Sequence, residues 1–332
     1  MAISEKLQLL CKYDNIPSEL TISAILTEDE LRYVGDESFL DLMLTVILPK
    51  VVAEDVDFYK LFEIDFNWIC RCLRILSFGP IYTTNSIFCD SCHNTTYGEY
   101  KVNLNSVKCI PIPDDTPEIM RVSKHEFIDF DKDIFFKLPT IGEIQNMMKN
   151  QLFIRKDTVI DALLGRLCCM ITCIGDQVDI SDKSILDIFK NKMISADYQI
   201  LRAIINQMTN FGLESCGKTQ CPRCKSIDAT FIALPDDRYY VRPWELHSDD
   251  QTVTVAGVEK TYREVRQQLY ENIIDETLFI SRASESAVSA DWLMTQPIFV
   301  RKKYVESFTK ELQEREKTVK NAGSRRLGQP NR

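Results

Sequence analysis

The chain has 332 residues, 45% of them hydrophobic and 27% charged, with a formal net charge of −9. That length gives room for two or three packed units of ordinary globular composition. The acidic balance argues against nucleic acid as the main partner, because phosphate recognition needs a basic face.

Local basic groups concentrate at Arg301, Lys302 and Lys303 and at Arg325, Arg326 and Arg332. No apolar stretch reaches the ~18 residues that span a bilayer. The opening residues carry no basic leader and no small-residue cleavage site. The expectation is a soluble, cytosolic chain whose twelve cysteines are mostly reduced thiols or metal ligands.

In chain order, residues 1–80 read as a helical domain. Thr27 and Glu30 have capping-box spacing. Leu40, Met43, Leu44 and Ile47 recur at helical spacing, and Pro49 comes as the run ends. A second helix starts near Asp65, read as its N-cap, with Phe66, Ile69, Cys70, Leu73 and Leu76 on one side and Arg71 and Arg74 on the other. Gly79-Pro80 stops it.

The texture then changes. Tyr100, Val102 and Leu104 alternate with polar residues, the period of a half-buried strand. Residues 127–136 read as a further extended stretch. Residues 114–213 read as a helical block. Within it Ile160, Leu163, Leu164, Leu167, Ile171 and Ile174 form one stripe, and Leu201, Ile204, Ile205 and Met208 another, with Gly212 as a C′ residue. Strand signals return near Cys221, across residues 230–234 and at 238–241. From Lys260 onward the pattern is helical, and Tyr304, Phe308 and Leu312 make a narrow stripe suited to docking on a neighbour.

The strongest chemical signal is a pair of Cys-x-x-Cys turns, Cys89/Cys92 and Cys221/Cys224, each beside strand-like sequence. Zn2+ takes four tetrahedral ligands, and two such turns supply them. The reading is one structural Zn2+ per chain in a split ribbon. Cys109 and Cys216 lie near the turns and stand as substitute ligands. Cys89 to His93 also matches the c-type haem pattern, but that chemistry follows export. Cys221 to Cys224 has redox-motif spacing, but strand-like residues follow where a helix belongs. Asp129, Asp131 and Asp133 begin like a calcium loop, which Ile134 and Thr140 break at the required glycine and glutamate. No phosphate loop, dinucleotide motif or H-E-x-x-H is present, and four-thiolate zinc leaves no open coordination position, so no enzyme is expected.

The fold class expected is α+β, mostly helical. The units are an N-terminal helical domain (1–80), first ribbon half (81–113), helical insertion (114–213), second ribbon half (214–246) and C-terminal helical arm and tail (247–332).

Three stretches carry a family likeness: LTEDEL (26–31), DVDFYKLFEIDFNWICRCLRIL (55–76) and IFCDSCHNTTYGEYKVNLNSV (87–107). A helix of alternating Leu and Arg, a cysteine knuckle and a Y-x-V-x-L strand resemble the baseplate hub assembly family of T-even-type contractile-tailed bacteriophages. CGKTQCPRCKSIDATFIAL (216–234) is similar to the closing half of a ribbon in larger relatives. The likeness covers about a third of the chain. His93 departs from the glycine that commonly follows such a knuckle. The resemblance implies a tail or baseplate protein, in the virion or in the host cytoplasm during assembly. It would be part of a multi-subunit structure with other tail proteins as partners, no membrane and no catalysis. The alternative is a zinc-ribbon nucleic-acid-binding accessory protein.

Overall fold

Leu7, Leu20 and Ile22 are the buried members of two short alternating strands, β1 (Ser4–Gln8) and β2 (Glu19–Ser23), which pair antiparallel with Leu7 opposite Leu20. The structure, a computed structural model, describes residues 3–32, 39–150, 152, 162–178, 180–232, 252–255 and 258–326. Helices follow the hairpin: α1 (Thr27–Arg32), α2 (Phe39–Leu42), a π-turn at Met43–Ile47, α3 (Leu48–Val51) and α4 (Glu63–Phe78). The N-terminal unit therefore opens on a hairpin that the helical reading omitted. Five-residue strands leave too few periods to stand out.

Two expected caps fall elsewhere. Thr27 donates its hydroxyl to the Gln296 carbonyl at 3.1 Å, and Glu30 binds Arg301 at 2.7 Å. The Leu26 amide donates instead to Asp29, at 3.3 Å. The N-cap of α4 is Phe62, and Asp65 lies inside the first turn, fully buried. Its carboxylate accepts from the Leu10 amide (2.6 Å), the Cys11 amide (3.1 Å) and the Tyr13 hydroxyl (2.7 Å). Asp65 thus staples the segment after β1 onto the start of α4. Gly79 ends α4 at φ 80°, a conformation open to glycine. Arg74 is buried, not solvent-facing, and donates to the Gly79 and Ile81 carbonyls at 2.9 and 3.1 Å.

The chain then forms β3 (Ile81–Cys89) and β4 (Asn94–Asn103); of the expected alternating residues Val102 is buried and Tyr100 half-buried in β4, while buried Leu104 lies in the 3-10 turn that follows the strand. A short β5 (Cys109–Ile110) follows. Residues 114–213 are not purely helical. They contain the antiparallel sheet β6 (Met120–Val122), β7 (Ile134–Phe136), β8 (Ile171–Ile174) and β9 (Gln177–Val178), in that order. Around it lie α5 (Ile141–Lys149), α6 (Ala162–Met170), α7 (Asp182–Asp187) and α8 (Ser195–Met208). The stripe expected from Ile160 to Ile174 is a helix that turns into a strand at Ile171; Ile160 lies outside the described residues.

Buried Asp197, in the first turn of α8, repeats the role of Asp65. It accepts from the amides of Ile128, Asp129 and Phe130 at 2.6, 3.0 and 2.8 Å. The helix ends at Met208 with Thr209 as its C-cap, so Gly212 is not its C′ residue. Gly212 belongs to β10 (Gly212–Leu213), which pairs with β5. Its φ of 86° and the close approach of Ile64 there exclude a side chain.

Then come β11 (Cys216–Thr219) and β12 (Ala229–Ile232). After a further hairpin, β13 (Thr252–Val255) with β14 (Val258–Thr261), the chain ends in α9 (Tyr262–Ala283), α10 (Ala290–Met294) and α11 (Ile298–Arg326). The expected extended residues 238–241 lie outside the described residues. Ile298 and Arg301 bury the first turn of α11. Arg301 is 1% exposed and pairs with Glu30 (2.7 Å) and Glu276 (3.0 Å), so it is a packing cation and not part of a basic surface. No helix among the described residues is long and apolar enough to cross a membrane. The fold class is α+β, a mixture of helix and sheet.

Candidate metal centre

The two Cys-x-x-Cys turns sit at the tips of two hairpins. Cys89 ends β3, and the loop to Asn94 carries Cys92. Cys221 and Cys224 lie in the loop from β11 to β12. The hairpins share one antiparallel sheet in the order β11-β12-β3-β4, and Ala229 of β12 stands opposite Cys89. Strand pairing thus brings residues 132 apart in sequence (221 against 89) to one place.

All four Sγ atoms lie within 4.8 Å of one another, and Cys89 Sγ is 3.5 Å from Cys224 Sγ. A tetrahedron with Zn–S bonds of about 2.3 Å has S–S edges of about 3.8 Å. The four thiols therefore fit a tetrahedral dication after only small adjustment. This is the one cluster of three or more Cys, His, Asp or Glu ligand atoms among the described residues. Cys89 and Cys221 are buried, Cys92 is half-buried and Cys224 is exposed.

Both knuckles are built alike. His93 follows Cys92 at φ 50°, and Lys225 follows Cys224 at φ 64°. Each chain reversal therefore uses a left-handed residue directly after its second cysteine, where glycine fits without strain. Lys225→Gly is expected to stabilise the protein by about 1 kcal/mol, read as a shift in the denaturation midpoint at unchanged slope.

Backbone donors prepare the second knuckle for an anion. The Cys224 amide points at Cys221 Sγ at 3.5 Å. That bond, with help from the Arg223 amide, pulls Cys221 down to about 6 against the cost of burial. The Ser226 amide favours the Cys224 thiolate, but contact with the Cys89, Cys221 and Cys92 thiols, together with burial, holds Cys224 up at about 12. Packed so closely, Cys221 and Cys224 cannot both ionise readily unless a cation sits beside them.

The substitute ligands lie elsewhere. Cys216 is exposed on β11 opposite Ile232, and Cys109 is on β5; neither joins the thiol cluster. The expected docking stripe lies on α11. Tyr304 stacks on Phe308 with centroids 6.0 Å apart and meets Trp292 edge-on at 6.2 Å, while Leu312 is 44% exposed. Trp292, absent from the sequence reading, thus extends that stripe onto α10.

Compared with known proteins, the chain matches no family model, no curated protein and no solved structure.

Proposed function

We propose that Cys89, Cys92, Cys221 and Cys224 hold one structural Zn2+ in a split zinc ribbon, and that the chain is a structural or assembly protein of a contractile phage tail baseplate. The observation that carries the metal reading is the closure of four thiols, from two distant hairpins, into one tetrahedral-sized cluster. Four protein ligands leave no coordination position for a substrate, so the ion's role is to hold two hairpins together. The tail reading rests on the resemblance of residues 26–31, 55–76, 87–107 and 216–234 to the baseplate hub assembly family. Docking onto neighbouring tail proteins would use the Trp292, Tyr304, Phe308 and Leu312 stripe.

Mass spectrometry of purified virions and of tail-assembly intermediates tests the role. The protein is expected in at least one of them, and its absence from both removes the reading. A ribbon with nucleic-acid affinity is the competing outcome, since Phe88 and Tyr97 are exposed on the ribbon strands. Salt-dependent binding of single-stranded DNA or RNA at physiological ionic strength would favour that alternative.

A further inference from the structure

The four thiols of the cluster differ in their access to solvent. Cys89 and Cys221 are buried, Cys92 is half-buried, and Cys224 is exposed in the loop from β11 to β12. On a bound dication every sulfur is a thiolate, the nucleophilic form. An oxidant in solution therefore meets Cys224 first.

Cys89 Sγ, from the other hairpin, lies 3.5 Å from Cys224 Sγ. Cys221, the partner within the same knuckle, is tied into its turn. Its sulfur accepts from the Cys224 amide at 3.5 Å, its amide donates to the Ser226 carbonyl at 2.7 Å, and its carbonyl accepts from the Lys225 amide at 3.0 Å. A bond from Cys221 to Cys224 would remove the acceptor of that first hydrogen bond and reshape the turn. A bond from Cys89 to Cys224 closes a short gap between two hairpins and spares the turn.

The hairpins are also held in register by contacts that need no metal. Ala229 pairs with Cys89 across β12 and β3, and the Thr230 hydroxyl donates to the Phe88 carbonyl at 3.3 Å. The Ser91 and Ser226 hydroxyls meet at 2.8 Å. Departure of an ion therefore leaves Cys89 and Cys224 side by side.

We propose that Cys224 and Cys89 are a site of oxidation by peroxide, in which a disulfide replaces the metal bridge between the two hairpins. The proposal rests on the zinc reading above. The Cys224 sulfur attacks one oxygen of hydrogen peroxide, the O–O bond breaks, and a sulfenic acid forms as hydroxide leaves. The Cys89 sulfur then attacks the Cys224 sulfur. The S–S bond forms, the S–O bond breaks, and a second hydroxide leaves. Two electrons pass from the sulfurs to the peroxide, and two solvent protons turn both hydroxides into water. Zn2+ keeps only Cys92 and Cys221 and departs. The new bridge spans 135 residues of sequence, and a cross-link over so long a loop removes much unfolded-state entropy. Oxidation thus trades one clamp for another on the same strands.

The test uses the full zinc-loaded chain. Hydrogen peroxide is added in the presence of a chromogenic zinc chelator, and disulfides are mapped by mass spectrometry of non-reduced tryptic peptides. Arg223 places a cleavage between Cys221 and Cys224 and keeps their assignments apart. The expected result is release of one zinc per chain, a chain two hydrogens lighter than the reduced metal-free form, and Cys89 linked to Cys224. Dithiothreitol with Zn2+ should reverse the change. The oxidised, metal-free protein should unfold at a higher urea concentration than the reduced chain stripped with EDTA. Cys216→Ser removes the exposed thiol outside the cluster and should leave zinc release unchanged. Disulfides confined within one knuckle, zinc retained after peroxide, or oxidised protein no more stable than the stripped chain overturns the proposal. Zinc-loaded protein that keeps its ion leaves the zinc reading intact, whereas protein that never held zinc removes both.

Discussion

Cys89→Ser and Cys224→Ser are each expected to destabilise the protein by roughly 5 kcal/mol, about half of the order of 10 kcal/mol that a structural zinc contributes. A hydroxyl does not ionise near neutral pH and is a poor zinc ligand, so a three-thiolate site holds the ion much more weakly. The loss is comparable with the whole stability of a typical domain. It should be global, because the cluster joins β3 and β4 to β11 and β12 across a long intervening segment. Chelation should mimic the substitutions in the wild type and add little to either variant. Cys216→Ser is the control. Its exposed thiol lies outside the cluster, and the change should stay within about 0.5 kcal/mol. Urea unfolding with and without added Zn2+ reads all of these. Equal, small effects at Cys89, Cys224 and Cys216 would show that the cluster carries no metal.

The second large effect belongs to the two buried aspartates. Asp197→Ala should cost roughly 4 kcal/mol, because it leaves the amides of Ile128, Asp129 and Phe130 without their acceptor. Asp65→Ala should cost about as much, by orphaning two amides and the Tyr13 hydroxyl. Asp197 adds a pH signature. Burial alone would raise its pKa, but the three amides outweigh it and hold the group below the ordinary 3.8. A carboxyl whose folded pKa is depressed contributes stability that is fully present above the unfolded value and is lost as pH falls through the folded value. The gap between wild type and Asp197→Asn should therefore be constant at neutral pH and shrink below about pH 4. A gap independent of pH down to pH 2 would contradict this account of the site.

What was legible in the sequence was local. Cys-x-x-Cys spacing is set by one turn, and the alternation of Tyr100 and Val102 by one strand, so both can be read without tertiary knowledge. The helix from Glu63 to Phe78 and its stop at Gly79 were legible for the same reason. Asp65 was misread because an aspartate at a helix start has the same sequence signature whether it caps its own helix or binds a distant loop. Arg301 looked like one member of a basic surface run until Glu30 and Glu276, far away in sequence, closed on it. The strands at 120–122, 134–136, 171–174 and 177–178 are too short to show a period, and they form because neighbouring strands complete their hydrogen bonds. The left-handed backbone at Lys225 was hidden because the residue is not glycine, whereas His93 was noted as standing where a knuckle commonly has glycine.

The central claim is that two hairpins are clamped by one metal ion. Elemental analysis of freshly purified protein, combined with X-ray absorption at the zinc edge, tests it most directly. The account predicts one zinc per chain with four sulfur neighbours at about 2.3 Å. Protein that is folded and free of metal, or zinc bound through nitrogen or oxygen ligands, would contradict it.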